Sequence, residues 1–333
     1  MLRTSSDWET DVPAQRVLEG ESLHEFELEP DRAFIYYKPV RIDVAPGEGE
    51  GSRSWSVGQN YLAQSEASKP YDVYPYFSEE GRCSVCDLRE LTCPDAGTTH
   101  QFRVFYPPGY EENVLKRYPV LYMQDGQNLF FPHEAFGGAH WRVPETLTRL
   151  NEMNLVDKVI VVGIYPEDRM RDYTAPGYDA YAKFITKTLK PAIDAEFRTL
   201  PGPTTTSVMG SSLGGVVSLH LAWRHPEIFG SVACLSSTFG YRDDLFDRVE
   251  SEGKKPLRIY LDTGWPRDNY EVTRTMRTLL ARCGFEEGTE MMYLAFPWGK
   301  HDEGSWALRS HIPFQFLFGR QPHVEASGHQ VRA

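Results

Sequence analysis

The sequence predicts an α/β protein in which helices cover both faces of a mostly parallel, doubly wound sheet. From about residue 80 onward, short apolar runs recur that are typical of strands buried on both faces. Segments with helical spacing of apolar residues alternate with these runs, and the connecting loops are short. Residues 1–79 show no convincing helical pattern, so we expect a β-rich or irregular N-terminal extension there.

Each element follows from its local pattern. In the extension, residues 34–37 and 40–44 are rich in β-formers and predict strands, and the acidic, glycine-rich run 47–52 predicts a flexible link. The strands predicted in the main domain are 101–106, 120–123, 159–162, 204–209, 231–236, 257–261 and 290–296. The predicted helices are 140–151, 181–197, 216–223 and 270–283. We therefore divide the chain into an extension (1–79), an α/β domain (80–320) and a polar tail (321–333).

Composition and charge limit the function classes. Hydrophobic residues make up 41% of the chain and charged residues 25%, which is ordinary for a globular protein. The net charge of −12 argues against a nucleic-acid partner, because such binding needs a basic face. No apolar run reaches the length of a membrane span, and the first residues lack the apolar stretch of a secretory signal. Five cysteines, an odd number, favour a reducing compartment. We expect a cytoplasmic protein without a membrane partner, and nothing in the composition indicates an oligomeric state.

The most informative motif is GSSLG at residues 210–214, a G-x-S-x-G run between a predicted strand and a predicted helix. A serine on such a sharp strand-to-helix turn takes strained backbone angles and exposes its Oγ beyond the sheet edge at a helix N-terminus. The strand-turn-helix context distinguishes this arrangement from an ordinary tight turn. It predicts that Ser212 is a nucleophile and that the chain is a serine hydrolase.

A serine nucleophile needs a base within hydrogen-bonding reach and an acid that orients the base. In this architecture the acid and then the histidine follow the serine along the chain. His301 is the predicted base because it directly follows the last predicted strand in a glycine-flanked loop, whereas His311 lies in an apolar segment and His323 and His329 lie in the polar tail.

The acid is expected after the strand that is predicted to end at residue 261. Asp268 is favoured because its loop is long enough to reach His301, although it could also cap the following helix. Asp262, at the end of that strand, is the alternative, and Glu271 is a third candidate.

Two backbone N–H groups are expected to hold the oxyanion of the tetrahedral intermediate. One belongs to Leu213, the residue after the nucleophile. The other is assigned to Gln127, in the loop after strand 120–123, because Gly126 permits the turn that points this N–H inward. A simple tight turn at the same position is the alternative.

Four segments, YPVLYMQDGQN, VMGSSLGG, YLDTG and GKHDEGSW, resemble the putative esterase family within the α/β-hydrolases. That family includes feruloyl esterases, enterochelin-type siderophore esterases, S-formylglutathione hydrolases and mycolyltransferases. The resemblance covers about residues 80–320 and implies an α/β-hydrolase fold without a large cap, together with a Ser, acid, His triad. Position by position it matches Ser212, His301, Gln127 and Leu213. The acid matches less closely, because the spacing to Asp268 is longer than in most members.

Other residues are candidates for substrate contact. Arg169 and Arg171 lie in the loop after strand 159–162 and could bind an anionic group, although a solvated charged loop explains them equally well. Trp141 and Trp298 lie near the catalytic loops in sequence and indicate a flat or aromatic substrate, but aromatic residues are common around pockets of any kind.

No cofactor or metal is expected. Dinucleotide, phosphate-loop and H-E-x-x-H signatures are absent from the sequence. Cys83, Cys86, Cys93 and His100 superficially offer four zinc ligands, but the second close pair of ligands that a structural zinc site needs is missing.

The sequence therefore predicts a serine esterase that cleaves a small-molecule carboxylic ester through an acyl-enzyme. An acyltransferase using the same triad is one alternative, which product analysis with acceptor alcohols would distinguish. A non-catalytic hydrolase-like binding protein is the other, and such a protein would not need Ser212, His301 and an acid together.

Overall fold

The computed structural model describes residues 1–18, 20, 22–28, 33–44, 51–64, 72–78 and 82–320. The boundary predicted at residue 79, most of the predicted link at 47–52 and the predicted tail at 321–333 lie outside these residues. The division of the chain at these points stays a prediction.

The N-terminal region is built from strands, as predicted. Its described strands are β1 (Leu2–Thr4), β2 (Asp7–Val12), β3 (Arg16–Leu18), β4 (Leu23–Glu25), β5 (Phe34–Asp43), β6 (Ser52–Trp55) and β7 (Tyr61–Gln64). β5 pairs antiparallel with β1, β6 and β7, β2 adds to β1, and β3 and β4 form a separate pair. The strands predicted at 34–37 and 40–44 are one continuous strand, β5, whose residues Ile35 and Tyr37 are buried.

The main sheet has nine strands within the described part of the chain. They are β8 (Ser84–Val85), β9 (Arg89–Cys93), β10 (Thr98–Tyr106), β11 (Val120–Met123), β12 (Ile160–Tyr165), β13 (Thr206–Ser211), β14 (Ser231–Leu235), β15 (Arg258–Trp265) and β16 (Met291–Pro297). Their order is β16-β15-β14-β13-β11-β12-β10-β8, and β9 also pairs with β10. β11 to β16 are mutually parallel, whereas β10 runs antiparallel to β8, β9 and β12.

Helices cover both faces of this sheet. They are α1 (Val143–Glu152), α2 (Arg169–Tyr173), α3 (Gly177–Phe184), α4 (Lys190–Glu196), α5 (Leu213–Arg224), α6 (Leu245–Glu252), α7 (Tyr270–Arg282), α8 (Glu303–Arg309) and α9 (His311–Phe318). The helix predicted at 181–197 is α3 and α4 joined by a π-helical turn. Tyr122 packs in the core with α5 and α7, whereas Leu121 packs in the core with α1 and α9. This two-sided core confirms the predicted fold class. Among the described residues, no helix has both the length and the apolar character needed to cross a membrane.

The N-terminal region contacts the main domain at the end of α1. The Gln59 N–H donates to the Glu152 carbonyl oxygen at 2.8 Å, and the Tyr76 hydroxyl donates to the Glu152 carboxylate at 2.8 Å. Nearby, the buried Lys158 ammonium donates to the Tyr74 carbonyl oxygen at 2.7 Å and lies 4.9 Å from the centre of the Tyr76 ring. Hydrogen bonds and a cation–π contact therefore attach this region to the sheet domain.

Candidate active site

Ser212 occupies the sharp turn between β13 and α5. Its backbone has φ 56° and ψ −124°, a strained conformation for a residue with a side chain. The turn is tight enough that a Cβ on Gly210 would lie 2.4 Å from the Gly214 carbonyl oxygen. The Ser212 N–H donates to the Leu235 carbonyl oxygen at 2.9 Å, which attaches the turn to the neighbouring strand β14. The sequence around Ser212 therefore forms the strand-turn-helix geometry that the motif predicts.

His301 and Asp268 reach Ser212 from two other loops at the same edge of the sheet. The Ser212 Oγ lies 2.9 Å from His301 Nε2, and His301 Nδ1 lies 2.6 Å from Asp268 Oδ1. His301 follows β16, and Asp268 lies between β15 and α7. Because parallel strands end at a common edge, three loops distant in sequence meet here. The structure thus brings together the three residues that the sequence analysis selected.

Asp268 is buried and receives several hydrogen bonds. Besides His301, the Ser236 hydroxyl and the Gly264 N–H, the latter at 2.7 Å, donate to its carboxylate. Burial raises the pKa of Asp268, but these hydrogen bonds outweigh burial and hold the pKa below its ordinary value. The carboxylate is therefore ionised at neutral pH and accepts the His301 Nδ1 proton. That contact leaves Nε2 free to accept the proton of Ser212.

Asp262, the alternative acid, points elsewhere. Its Oδ1 accepts from Arg309 Nε at 3.1 Å, and its Oδ2 accepts from the Tyr260 hydroxyl at 3.0 Å. The prediction that the strand ends at residue 261 was wrong, because β15 continues to Trp265 and places Asp262 inside the sheet. Burial raises the pKa of Asp262 to about 6, although the charge and hydrogen bond of Arg309 lower it. The residue that contacts His301 is Asp268.

Two polar residues of this site, Ser236 and Arg309, were missed in the sequence analysis. The Ser236 hydroxyl donates to Asp268 and accepts from Trp306 Nε1 at 3.0 Å and from Arg309 Nη2 at 2.6 Å. The Trp306 ring also packs edge-on against the His301 ring, with centroids 5.1 Å apart. Ser236 directly follows β14, so its position at the sheet edge was a usable signal. Arg309 lies on α8 and had no such signal, whereas Trp306, also on α8, ends the GKHDEGSW segment that carried the family resemblance.

The loop that carries Gln127 turns at a different residue from the one expected. The left-handed conformation belongs to Asp125, with φ 55°, and not to Gly126. Gly126 is needed for space instead, because a Cβ there would lie 2.7 Å from the Gly163 carbonyl oxygen on β12. Among the backbone hydrogen bonds of the described residues outside regular helices and strands, none has the N–H of Gln127 or Leu213 as its donor. The assignment of these two N–H groups to an oxyanion hole stays a prediction.

The two candidate arginines are paired with carboxylates of the chain itself. Arg169 donates to both oxygens of Asp125, with Nε–Oδ1 at 2.8 Å and Nη2–Oδ2 at 3.0 Å. It therefore braces the loop that leads to Gln127. Arg171 pairs with Glu167 at 2.9 Å and with Asp172 at 2.9 Å. A role for either guanidinium in substrate binding stays a prediction.

The two candidate tryptophans have contrasting environments. Trp141 is only 3% exposed and packs on the Trp306 ring at 5.9 Å, so it supports the site from the core. Trp298 is 77% exposed and lies in the loop before His301, with its ring 6.4 Å from the Trp265 ring. Of the two, Trp298 is placed to meet a ligand that arrives from solvent.

The cysteine cluster near β8 and β9 gives no metal geometry. Cys86 Sγ accepts a backbone N–H at 3.0 Å, Cys93 is buried in the core, and His100 packs against aromatic rings. Across the described ranges, no group of three or more His, Cys, Asp or Glu side chains is arranged to hold a metal ion.

Replacing Gly126 by alanine is expected to lower kcat by about 10- to 100-fold, because the loop carrying Gln127 must shift away from β12. The new Cβ would meet the Gly163 backbone at 2.7 Å and the Tyr165 ring at 2.6 Å. Gly202→Ala is the matched control, since a Cβ there has no neighbour closer than 4.0 Å. Steady-state kinetics on both variants tests this, and equal activities would show that the loop position does not matter.

The comparison with family models matches residues 95–312 to the family described as "Putative esterase". Among curated proteins, the uncharacterized protein YbbA of Bacillus subtilis (strain 168) is 24% identical over 181 residues, which cover 49% of this chain and 67% of YbbA.

Solved structures share the fold. A ferulic acid esterase superposes with a TM-score of 0.60 at 18% identity, covering 71% of this chain and 98% of that chain. An enterobactin esterase from Shigella flexneri, solved in the presence of 2,3-dihydroxy-N-benzoyl-glycine, superposes with a TM-score of 0.56 at 16% identity, covering 69% of this chain and 58% of that chain. These likenesses show the α/β-hydrolase fold.

Proposed function

The chain belongs to the putative esterase family and is a carboxylic-ester hydrolase, and we propose that it acts through a triad of Ser212, His301 and Asp268. The observation that carries this proposal is the continuous pair of contacts from Ser212 Oγ to His301 Nε2 at 2.9 Å and from His301 Nδ1 to Asp268 Oδ1 at 2.6 Å. A nucleophile touching a base that is itself held by a third group is the arrangement that activates a serine.

In the acylation step, His301 Nε2 takes the Ser212 proton while Oγ attacks the ester carbonyl carbon. The carbonyl oxygen becomes an oxyanion that accepts hydrogen bonds from the N–H groups of Gln127 and Leu213. Asp268 stabilises the imidazolium that forms and keeps its orientation. The alcohol then leaves with the proton from His301, and the acyl group stays on Ser212 as an ester.

In the deacylation step, His301 removes a proton from a water molecule that attacks the acyl-enzyme. The same two N–H groups hold the second oxyanion, and His301 returns the proton to Ser212 Oγ as the carboxylic acid leaves. The exposed position of His301, whose side chain is 36% exposed, gives water access to the base without a conformational change. This access favours hydrolysis as the second half-reaction.

We further propose that the substrate carries an aromatic acyl group. Two strongly exposed aromatic side chains lie on loops of the site: Trp298 in the His301 loop, 77% exposed, and Phe136, 80% exposed. The Phe136 N–H donates to Asn128 Oδ1 at 2.9 Å, so its loop is attached beside Gln127. Of the similar structures named above, one is a ferulic acid esterase and the other is an enterobactin esterase solved with a dihydroxybenzoyl compound. Ferulic acid and the dihydroxybenzoyl compound each contain an aromatic ring.

Labelling with a fluorophosphonate, a probe of activated serines, tests the triad without assuming a substrate. We expect labelling of the purified protein at Ser212 and its loss in His301→Ala, because the base would be missing. An ester panel then compares hydroxycinnamoyl and dihydroxybenzoyl esters with butyryl and acetyl esters. The aromatic esters should have the higher kcat/KM. Folded wild-type protein without labelling would contradict the triad, and a preference for short alkyl esters would contradict the aromatic acyl group alone.

A further inference from the structure

Arg309 lies between two buried carboxylates behind the candidate active site. Its Nε is 3.1 Å from Asp262 Oδ1, and its Nη2 is 3.6 Å from Asp268 Oδ2. The Arg309 side chain is 5% exposed and both carboxylates are fully buried. At this depth, water screens the charges little, so each charge acts strongly on the others. The mechanism given above uses Asp268 but neither Arg309 nor Asp262.

A cation this close to Asp268 opposes what a triad acid does. The negative charge of Asp268 stabilises the imidazolium of His301, and a buried guanidinium beside it would offset that charge. The pairing with Asp262 removes the conflict, because the three groups together then carry one net negative charge. On the basis of the proposed function, we propose that Asp262 is a positioning residue that neutralises Arg309, so that Asp268 keeps its charge for His301.

The hydrogen bonds of Arg309 give this cation a role of its own. Arg309 Nη2 donates to the Ser236 hydroxyl at 2.6 Å, and Ser236 in turn donates its single proton to Asp268. Trp306 Nε1 occupies the other acceptor position of that hydroxyl at 3.0 Å. With both lone pairs occupied, the Ser236 proton has one direction left, toward Asp268. Arg309 thus orients Ser236, and Asp262 compensates the charge that Arg309 introduces.

Ionisable groups on β15, β14, α8 and the loop after β15 lie near Asp262. Tyr260, on the same strand, donates its hydroxyl at 3.0 Å, and Cys234 on β14 is a buried thiol. Arg309 is the cation in contact with Asp262, and Asp268 is the nearby anion. Burial raises the pKa of Asp262 to about 6, so Asp262 is ionised at the neutral and mildly alkaline pH of an esterase assay.

The central experiment is Asp262→Asn in the full-length protein. The variant keeps a hydrogen-bonding side chain but leaves Arg309 uncompensated. We expect kcat to fall about 10- to 100-fold with little change in KM, because the imidazolium forms only along the reaction path. The acid limb of the kcat/KM profile should move to lower pH by about half a unit or more, because a less negative site holds the His301 proton less strongly. Loss of packing alone would not move the limb in that direction.

The double variant Asp262→Asn/Arg309→Gln supplies the decisive comparison. It restores one net negative charge, from Asp268, and the introduced glutamine keeps an amide donor for Ser236. We expect its kcat and its acid limb to return to within about threefold and about 0.3 units of the wild-type values. Asp194→Asn is the control, because it also removes a carboxylate paired with a cation, Lys190 at 2.5 Å, but outside the site. The control should match the wild type.

Each possible result supports or contradicts the role proposed for Asp262. An Asp262→Asn variant with wild-type kcat and an unmoved acid limb overturns the proposed role. A double variant as slow as Asp268→Asn also overturns it, and this test holds even if Asp262→Asn alone does not fold. Thermal unfolding of each variant identifies a loss of fold. Wild-type protein that neither hydrolyses esters nor labels at Ser212 contradicts the triad itself, which distinguishes failure of the proposed function from failure of this role.

Discussion

Ser212→Ala is expected to lower kcat by about four to six orders of magnitude, because it removes the only atom that can attack the ester in the proposed mechanism. The fold should survive. The Ser212 side chain makes no capping hydrogen bond to α5, and its contact is with His301 Nε2 at 2.9 Å. Alanine also carries a Cβ, so the positive φ of this residue adds no new strain.

Two measurements check this result. Burst kinetics with a chromogenic ester reports acylation, and thermal unfolding reports the fold. Ser211→Ala is the matched control, because Ser211 precedes the proposed nucleophile by one residue and is buried in β13, while the hydrogen bonds of the His301 ring go to Ser212 and Asp268. A Ser212→Ala variant that keeps a tenth or more of the wild-type kcat would show that a group other than Ser212 attacks the ester.

Asp268→Asn is expected to lower kcat by about 10⁴-fold with an intact site geometry, because an amide can present its N–H to His301 Nδ1 and stabilise the wrong tautomer. Asp268 is the group to change because its Oδ1 lies 2.6 Å from His301 Nδ1. Glu271→Gln is the control, since Glu271 was a candidate acid in the sequence but lies exposed on α7. The kcat/KM values of the two variants decide the assignment, and equal values would remove Asp268 from the triad.

The same substitution should also change the pH dependence of stability. The pKa of Asp268 is lower in the folded protein than in the unfolded chain. The carboxylate therefore contributes stability that is fully present above its unfolded pKa and is lost as the pH falls through the lower folded pKa. Asp268→Asn lacks this contribution, so its free energy of unfolding should depend less on pH in the acid range. Chemical unfolding at a series of pH values from neutral into the acid range measures the difference.

The central sheet was predictable because its strands are buried on both faces. Residues 120–123 form β11 as predicted, and the strand predicted at 231–236 is one residue longer than β14. Their uninterrupted apolar runs are typical of strands in a parallel sheet that is covered on both faces. The contact between Ser212 and His301 was predictable for a related reason. A nucleophile at a strand-to-helix turn and a base after the last strand must meet at one sheet edge.

The parts that escaped prediction depend on tertiary packing. β15 continues past its apolar run because Asp262, a charged residue, is paired inside the protein with Arg309. No local sequence pattern predicts that two residues so far apart in sequence will form an ion pair. The Ser236 hydrogen bonds are of the same kind, since they join β14 to α8. At the Gln127 loop, the left-handed residue is Asp125, which can take this conformation more readily than most side chains.

Ser212 and His301, the proposed nucleophile and base, differ sharply in how well the fold protects them. Ser212 directly precedes α5, in which eleven of twelve residues are buried, so we expect its position to be lost only when the domain opens as a whole. His301 lies on a surface loop that includes the 77% exposed Trp298, and such a loop can open locally at a much smaller free-energy cost. Under heat or mild denaturant, we therefore expect His301 to separate from Ser212 while the core is still folded. The active fraction under these conditions would then follow the closing equilibrium of this one loop, so we expect mutations that rigidify the loop to preserve activity more than mutations that strengthen the core.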